Sequence, residues 1–447
     1  MRVRLRAAAI ALVLCACAER PSDPRPNVVL VTLDTTRADH LGAYGYERDT
    51  SPRLDELAAE SRVYERAVST SSWTLPAHAA LFTGKFTGSH GARYDPEGPL
   101  QLLDAIRGHP AWKAYRARGL AAGETTLAGV LADAGYATGA IVAGPWMKRP
   151  FGLDAGFAHY DDDGIDSTRG RLAEHVTDAA IAWIDAQEGA FFLFLNYYDP
   201  HSPYAAPGEW LTRFLPDGVD ASELARRPPS TAERIALYDG EIAYMDHHLG
   251  RLLDHLRRRG LYEASWVVVT ADHGELLSEH GLQGHGLHLY QPELHVPLLV
   301  RQPGADPPAG RSRELVQPVD VLPLLCAGLG LPVPDGIQGQ RPGAITHPIV
   351  AEAYPLPVLS EKGDWRALFE GSHKFVWNSR GDHLLFDLER DPAEVHNLLH
   401  EEPGRAKRLE VRLTRYLEDL PAPAPAASPD PLDAETQEAL RNLGYAE

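Results

Sequence analysis

Four short segments of the chain carry side chains that could bind a cation or attack a bound group. One is SSWTLPAHAALFTG, in which Thr74 precedes Pro76 and a small apolar segment with helical character. Because proline fits the first turn of a helix, Thr74 is predicted to lie at or just before a helix N-terminus. Free backbone N–H groups and the helix dipole favour an anion there. Thr74 is therefore either a simple helix cap or a nucleophile at an anion-binding helix end.

The other three segments place acidic residues at the ends of apolar runs. Asp34 ends NVVLVTLD, Asp199 ends FFLFLNYYD, and Asp272 ends SWVVVTAD with His273 next to it. Such runs predict strands buried on both faces of a parallel sheet, whose ligands bind beyond the carboxyl ends of the strands. Carboxylates gathered at one edge repel one another unless a cation lies between them. A bend after the strand would turn both Asp272 and His273 toward that cation.

The elements that must position these residues alternate between strand and helix. Strands are predicted over Asn27–Asp34, Phe191–Asp199, Ser265–Gly274 and His295–Gly304, and helices within LDELAAESRVYERAV, RLAEHVTDAAIAWIDAQ and IAYMDHHLGRLLDHLRRRG. This alternation predicts an α/β fold, a doubly wound and mainly parallel sheet, across residues 27–344. Residues 345–400 alternate apolar and polar positions around turn signals, which predicts a small antiparallel C-terminal α+β subdomain. Residues 401–447 are expected to hold a helix, a stiff Pro/Ala linker and a terminal helix.

The N-terminus has the pattern of an export signal. Residues 1–17 combine basic MRVRLR, an apolar run too short to span a bilayer, and LCAC. Cys17 resembles the acylated cysteine of a bacterial lipobox, and residues 18–26 would then be a linker; the alternative is an ordinary signal peptide. We expect an exported protein, periplasmic or membrane-anchored through a lipid alone. The formal charge of −19 argues against nucleic acid as a partner.

Six segments resemble the sulfatase family of the alkaline phosphatase superfamily, in the family's order and over residues 27–400. They are LVTLDTTRADHLGAYGY, TLPAHAALFTG, YYDPHSPY, GEIAYMDHHLGRLL, VVVTADHGELLSEHGLQGHG and LFDLERDPAEVHNLL. The resemblance implies an alkaline-phosphatase-like fold. It makes Asp34, Asp272 and His273 metal ligands, and Thr74 both ligand and nucleophile.

The chain departs from the family's pattern at the nucleophile. Thr74 stands where the family has the cysteine or serine that is oxidised to formylglycine, and His78 replaces the signature arginine. T-x-P-x-H instead resembles the threonine-nucleophile branch, which includes phosphodiesterases and phosphonate hydrolases. Water can release a threonine ester by attacking its central atom, a step well established at phosphorus. Phosphate, phosphodiester or phosphonate esters are therefore favoured, with sulfate esters as the alternative.

Two more departures bear on the metal ion. Thr35 stands where many formylglycine sulfatases have the second of two adjacent aspartates, and His273 stands where asparagine is common. An all-oxygen site favours calcium, whereas imidazole shifts the preference toward zinc or manganese. We expect a divalent ion, zinc or manganese first, with calcium or magnesium as alternatives.

Further side chains are expected to surround a small anionic ester substrate. His201 in DPHSPY and His285 in QGHGLHLY would move protons or contact substrate oxygens. The alternatives are a turn histidine at 201 and a second metal site that joins His285 to Asp199 or His201. Candidates for substrate contacts are His78, Lys85, Arg37 and Asp199.

The predicted function is that of an exported, metal-dependent hydrolase that cleaves such esters through a covalent threonine intermediate. One alternative is a phosphoryl-group transferase acting on envelope lipids or glycans, although such enzymes usually carry several membrane spans before the catalytic domain. Another is a non-catalytic ligand-binding relative. A binding protein would have little reason to keep Asp34, Thr74, Asp272 and His273 together.

Overall fold

The computed structural model describes residues 23, 25–95, 98, 100–101, 116–165, 170–219, 221–224, 226–304, 310–354 and 363–424. The predicted signal segment with Cys17, much of the 18–26 linker, and the terminal helix beyond residue 424 lie outside these residues. Within the described part, no helix combines the length and the apolar character needed to cross a bilayer.

Strands and helices alternate along most of the described chain. The strands are β1 (Asn27–Leu33), β2 (Arg62–Val68), β3 (Arg93–Tyr94), β4 (Leu100–Gln101), β5 (Arg116–Arg118), β6 (Ala137–Ile141), β7 (His159–Asp161), β8 (Phe191–Tyr197), β9 (Ser265–Thr270), β10 (His295–Val296), β11 (Leu298–Arg301), β12 (Gly310–Val316), β13 (Ile349–Ala353), β14 (Trp365–Glu370), β15 (His373–Asn378) and β16 (Leu384–Asp387). The helices are α1 (Pro52–Ala59), α2 (Thr74–Thr83), α3 (Thr87–His90), α4 (Leu127–Asp133), α5 (Ala173–Asp185), α6 (Ala221–Leu224), α7 (Thr231–Arg258), α8 (Gln291–Leu294), α9 (Val321–Leu329) and α10 (Pro403–Glu418).

A mixed, mainly parallel sheet forms the centre of the molecule. Its described strands run in the order β10-β2-β11-β9-β1-β8-β6-β7, and β12 lies beside β2. β1 pairs in parallel with β8 and β9, so its end is flanked by the ends of both neighbours. All seven residues of β1 are buried, as expected for an apolar strand covered on both faces. The predicted α/β class is confirmed.

Two details of the predicted elements are wrong. LDELAAESRVYERAV is helical only as far as Ala59, and RVYERAV forms β2. Valine and tyrosine in that stretch fit a pleated sheet, and tertiary pairing with β11 and β12 overrides the helical spacing. The run predicted over 295–304 also divides into β10 and β11, and β11 lies antiparallel to β9.

Helix α2 differs from the surface helices because all ten of its residues are buried. It ends at Gly84, which adopts a left-handed conformation with φ of 63°. A helix that is buried on every side lies within a core, so α2 is an internal element.

The C-terminal subdomain is the predicted small antiparallel sheet. Its strands run β13-β14-β15-β16, and α10 packs on β14 and β15. β13 also contacts the main body, because Glu352 N donates to Thr70 O at 2.9 Å and Ser71 Oγ donates to Glu352 O at 2.8 Å. The loop that leads to Thr74 is therefore attached to this subdomain.

Candidate active site

Two adjacent strand ends bring the carboxylates of Asp34 and Asp272 together. Asp34 follows β1 directly, and Asp272 lies two residues beyond β9. Together with His273 they present three ligand atoms that all lie within 4.8 Å of one another. Burial and then the charge of Asp272 raise the pKa of Asp34 well above its ordinary value. In the described part of the chain, Asp34 Oδ1 and Asp272 Oδ2 are buried without a hydrogen-bond partner. This donor set fits a divalent cation.

The ring of His273 is held with one nitrogen available for such an ion. Its Nδ1 donates to Gly274 O at 2.9 Å, so Nε2 carries the lone pair. Nε2 lies 3.3 Å from Asp272 Oδ2 and 3.2 Å from Thr74 Oγ1. Burial lowers the pKa of His273, which keeps the imidazole neutral as a metal ligand requires.

Thr74 is the first residue of α2, and its hydroxyl is turned into this group of ligands. Trp73 occupies the cap position and makes no capping hydrogen bond. The Thr74 hydroxyl is hydrogen-bonded to His273 Nε2 and not to a backbone N–H. Thr74 is therefore more than a simple helix cap. The first N–H groups of a helix have no partner within it and point out of its N-terminal end, which is where Thr74 lies.

His78, a predicted substrate contact, is fully buried and hydrogen-bonded to the protein. Its Nδ1 donates to Thr74 O at 2.9 Å, and its Nε2 accepts from Thr32 Oγ1 at 2.9 Å. Both ring nitrogens are therefore occupied by the protein, and the ring has no exposed surface. Burial lowers the pKa of His78, so a neutral ring replaces the family's charged arginine.

Asn196, which was not predicted, ties Asp34 to the loop after β6. Its Nδ2 donates to Asp34 Oδ2 at 3.4 Å, and its Oδ1 accepts from Gly144 N at 3.0 Å and Ala143 N at 3.3 Å. The available signal was a single amide inside the apolar run FFLFLNYYD. A buried amide in a central strand must find partners, which is a reason to expect a network there.

Thr35 has a backbone conformation that is unusual for a β-branched residue, with φ of 52°. Its N–H donates to Asp272 Oδ1 at 3.2 Å, and its carbonyl accepts from Tyr238 OH at 2.7 Å. Its hydroxyl is buried without a partner in the described part of the chain. Strain of this kind occurs where a site fixes the backbone.

Two histidines extend the site beyond His273. The His285 ring centroid lies 4.5 Å from that of His273 and 4.9 Å from that of His201. Burial lowers the pKa of His201 to about 3 and that of His285 to about 4. Glu275, which was not predicted, accepts from His285 Nδ1 at 3.1 Å, and burial raises its pKa to about 7. No second group of three metal ligands occurs among the residues that the model describes.

Three of the residues predicted to contact substrate, Arg37, Lys85 and Asp199, bond to other parts of the protein. Arg37 donates to Asp39, Glu279 and a backbone carbonyl. The Lys85 ammonium pairs with Glu124 at 2.6 Å and follows the far end of α2, roughly 15 Å along the helix from Thr74.

Asp199 is the third of these residues. Its Oδ1 accepts from Ala173 N, the first residue of α5, at 2.9 Å. Burial raises its pKa to about 7. Of the three acidic residues predicted to converge, Asp34 and Asp272 do, whereas Asp199 is turned toward a helix start.

The sequence model of the sulfatase family matches residues 26–331. The chain belongs to the sulfatase family. As a sulfatase-family member it is a hydrolase of sulfate or phosphate ester bonds, which confirms the predicted enzyme class. An arylsulfatase of Clostridium perfringens is 22% identical, over 85% of this chain and 91% of its own length.

Two solved structures share the fold of this chain. A phosphonate monoester hydrolase of Agrobacterium radiobacter has a TM-score of 0.69 at 19% identity, covering 88% of this chain and 95% of its own. A protein in complex with its substrate D-glucosamine-2-N,6-O-disulfate has a TM-score of 0.71 at 18% identity, covering 88% and 98%.

Proposed function

We propose that this sulfatase-family protein is an exported, metal-dependent hydrolase that cleaves small anionic esters through a covalent intermediate on Thr74. Phosphate, phosphodiester or phosphonate esters are the favoured substrates, and sulfate esters are the alternative. The observation that carries the proposal is the Thr74 hydroxyl, 3.2 Å from His273 Nε2 at the start of a buried helix. The names of an arylsulfatase and a phosphonate monoester hydrolase among similar proteins support both ester classes.

The residues that would hold the ion are Asp34, Asp272, His273 and the Thr74 hydroxyl. A bound divalent cation lowers the pKa of an oxygen ligand and neutralises charge on the oxygens of the ester. The single imidazole among oxygen donors favours zinc or manganese, with calcium or magnesium as alternatives.

The chain's own residues would act in two steps. The Thr74 hydroxyl would lose its proton to solvent, and its Oγ1 would bond the central atom of the ester as the bond to the leaving-group oxygen breaks and a histidine gives that oxygen a proton on the opposite side. Water would then attack the central atom and give a proton to the same histidine, the bond to Oγ1 would break, and Oγ1 would regain a proton from solvent. His78 fixes the first turn of α2 through Thr74 O, and Asn196 fixes Asp34.

Steady-state kinetics on four ester classes tests the function. Aryl sulfate, phosphate monoester, phosphodiester and phosphonate monoester are compared with metal-stripped protein reconstituted with zinc, manganese or calcium. Thr74→Ala is expected to reduce kcat/KM by at least about 10³-fold, and Thr74→Ser, which keeps the hydroxyl, should retain part of the activity. Turnover that survives in Thr74→Ala would overturn the covalent mechanism, and inactivity on every ester with every metal would overturn the function.

Export is a separate part of the proposal and rests on residues 1–17. Fractionation of a bacterium that produces the full chain should place the protein outside the cytoplasm. Cys17→Ala should move it from the membrane fraction to the soluble periplasmic fraction if Cys17 is acylated. Protein that remains in the cytoplasm would contradict export.

A further inference from the structure

The chain enters the main sheet at the face opposite the proposed site. β1 begins at Asn27 and ends at Leu33, and β6, β8 and β9 run in the same direction. The amino ends of these strands therefore lie on one face of the molecule and their carboxyl ends on the other. Asp34 and Asp272 follow the carboxyl ends of β1 and β9. The seven residues of β1 thus separate Asn27 from the site by about 23 Å, at 3.3 Å per residue.

Two residues before β1 are hydrogen-bonded to the amino-terminal face of the sheet. Arg25 N and Nε each donate to Asp23 Oδ1 at 3.0 Å. Arg25 Nη2 donates to Gly135 O at 3.2 Å, and its guanidinium carbon lies 4.9 Å from the centroid of the Tyr136 ring. Asp23 Oδ2 accepts from Ala190 N at 3.4 Å. Gly135 and Tyr136 precede β6, and Ala190 precedes β8. Asp23 and Arg25, here called the N-terminal clasp, therefore join the amino ends of three strands.

The N-terminal clasp leaves a short segment between Cys17 and the folded body. Five residues, 18–22, separate Cys17 from Asp23. A fully extended chain over these six steps reaches about 20 Å. A compact chain of about 400 residues has a radius of gyration near 21 Å and is roughly 50 Å across. A lipid on Cys17 would therefore hold the amino-terminal face near the bilayer, because the segment is too short for the body to turn its opposite face to the lipid.

We propose that Cys17 and the N-terminal clasp hold the active site away from the membrane, so that its substrates are esters dissolved in water and not lipids of the same bilayer. The proposal rests on the proposed function and on acylation of Cys17. A lipid that carried the same phosphate group would lie on the far side of the body from Thr74. The geometry also separates the hydrolase from a transferase acting on envelope lipids, because such a transferase must reach the head groups.

A water-soluble ester and a lipid ester with the same reacting group test the proposal. The acylated wild type is reconstituted into phosphatidylcholine vesicles that contain a lipid with a nitrophenyl phosphonate head group, and Cys17→Ala is the untethered control. Tethering a site that can reach its substrate raises the rate by about 10²- to 10⁴-fold. We expect the anchored wild type to exceed Cys17→Ala by less than about 3-fold on the lipid ester, and to equal it on soluble nitrophenyl phosphonate.

Two matched insertions vary the length of the tether. A Gly/Ser segment of about 40 residues has a mean end-to-end distance of about 35 Å and can extend much further. Placed between Ser22 and Asp23, it allows the body to turn over. It should raise the rate of the anchored protein on the lipid ester by at least about 10-fold and leave the soluble ester unchanged. The same segment placed after Ala424 does not lengthen the tether, so both rates should equal those of the wild type.

Orientation on the vesicle can be measured without turnover. Asp133 lies at the end of α4, just before the amino end of β6, and Gln283 lies in the loop that follows the carboxyl end of β9. Both residues are exposed, whereas Cys326 is buried. Asp133→Cys and Gln283→Cys therefore each accept a maleimide dye. Förster transfer to an acceptor on the lipid head groups should be stronger from position 133 than from position 283.

The outcomes separate the proposal from the function on which it rests. A tethering gain of about 10-fold or more for the wild type on the lipid ester would overturn the proposal and leave the hydrolase intact. Equal transfer from the two dyes, or a long tether that gives no gain, would also overturn it. A wild type that turns over neither ester would overturn the proposed function. A wild type found only in the soluble fraction would overturn the anchor, and the proposal with it.

Discussion

Thr35 lies where a change of side chain would alter the ligands of the proposed metal site. It follows Asp34, its N–H contacts Asp272 Oδ1, and its own hydroxyl is buried without a partner among the described residues. Aspartate tolerates a left-handed backbone better than threonine does, so a carboxylate is compatible with φ of 52° here. A third carboxylate would make the ligand set richer in oxygen.

We therefore expect Thr35→Asp to raise the affinity for calcium relative to zinc by about 10-fold. Competitive metal titration of the stripped protein measures this ratio. Thr35→Asn is the matched control, because it adds an oxygen of the same shape without the charge. An unchanged ratio in Thr35→Asp would show that position 35 does not reach the ion.

Site residues whose positions depend on the neighbouring sequence could be predicted, whereas those whose partners come from distant parts of the chain could not. Strand ends and a helix start, which a sequence reveals, predicted the positions of Asp34, Asp272 and Thr74, whereas their roles were implied by the resemblance to the sulfatase family. Arg37 and Lys85 were assigned by proximity in sequence, yet their partners Glu279 and Glu124 are chosen by the folded chain.

The same holds for the strands and helices: those set by local sequence were predicted, and boundaries set by tertiary pairing were not. The apolar runs gave the central strands because each is buried on both faces. The boundary between α1 and β2 was missed because it depends on pairing with β11 and β12. Asn196 and Glu275 were missed because their polarity has meaning only beside Asp34 and His285.

A buried ion pair connects α8 to the C-terminal sheet. Lys374 Nζ on β15 lies 2.6 Å from Glu394 Oε1, and Glu394 Oε2 accepts from Gln291 N at 2.6 Å. The side chains of Lys374 and Glu394 have no exposed surface. Glu293 of α8 is also buried, and burial raises its pKa well above the ordinary value.

Lys374→Met is expected to lower the free energy of unfolding by about 3 kcal/mol or more, because it leaves Glu394 charged and unpaired. Urea denaturation measures the loss, and Lys374→Met with Glu394→Gln should recover part of it. Lys407→Met, at an exposed pair with Glu410, should change little. A wild-type value for Lys374→Met would contradict the expected role.

His347 ties the segment before β13 to the start of α9. Its Nε2 lies 2.8 Å from Asp320 Oδ1 and its Nδ1 lies 3.0 Å from Pro348 O, so both nitrogens face acceptors, as in the charged ring. Burial acts to lower the pKa of His347, but the bond to Asp320 outweighs it and the pKa is raised above 6.5.

A raised pKa stabilises the fold fully below the unfolded-state value, and the stabilisation is lost as pH rises through the folded-state value. The difference in unfolding free energy between the wild type and His347→Gln should therefore be larger at pH 5.5 than at pH 8.5. Chemical denaturation at several pH values measures it. A difference that grows with pH would refute the charged pairing.

At the scale of the whole molecule, the C-terminal subdomain belongs to the active site's support. β13 bonds to Thr70 and Ser71, which lead to Thr74, and α8 lies between Glu394 and the turn after His273. Gly274 N donates to Glu293 O at 2.8 Å, so the turn after His273 is hydrogen-bonded to α8.

A chain that ends at residue 344 is therefore expected to lose metal binding as well as stability, although residues 27–344 contain every proposed ligand. Metal content after dialysis and a thermal melt measure both. A chain that ends at residue 424 keeps the whole described subdomain and should behave as the full protein does. Normal metal content in the shorter chain would show that the main body is self-sufficient.

The burial of all ten residues of α2 has a consequence for how the enzyme would lose activity on heating. Amides in such a helix exchange their hydrogens with solvent only when most of the molecule opens, because no smaller opening exposes them. Thr74, the proposed nucleophile, is its first residue and shares that protection. Inactivation should then follow the cooperative melting of the whole body, without an earlier, locally frayed state in which the fold persists and the hydroxyl is displaced.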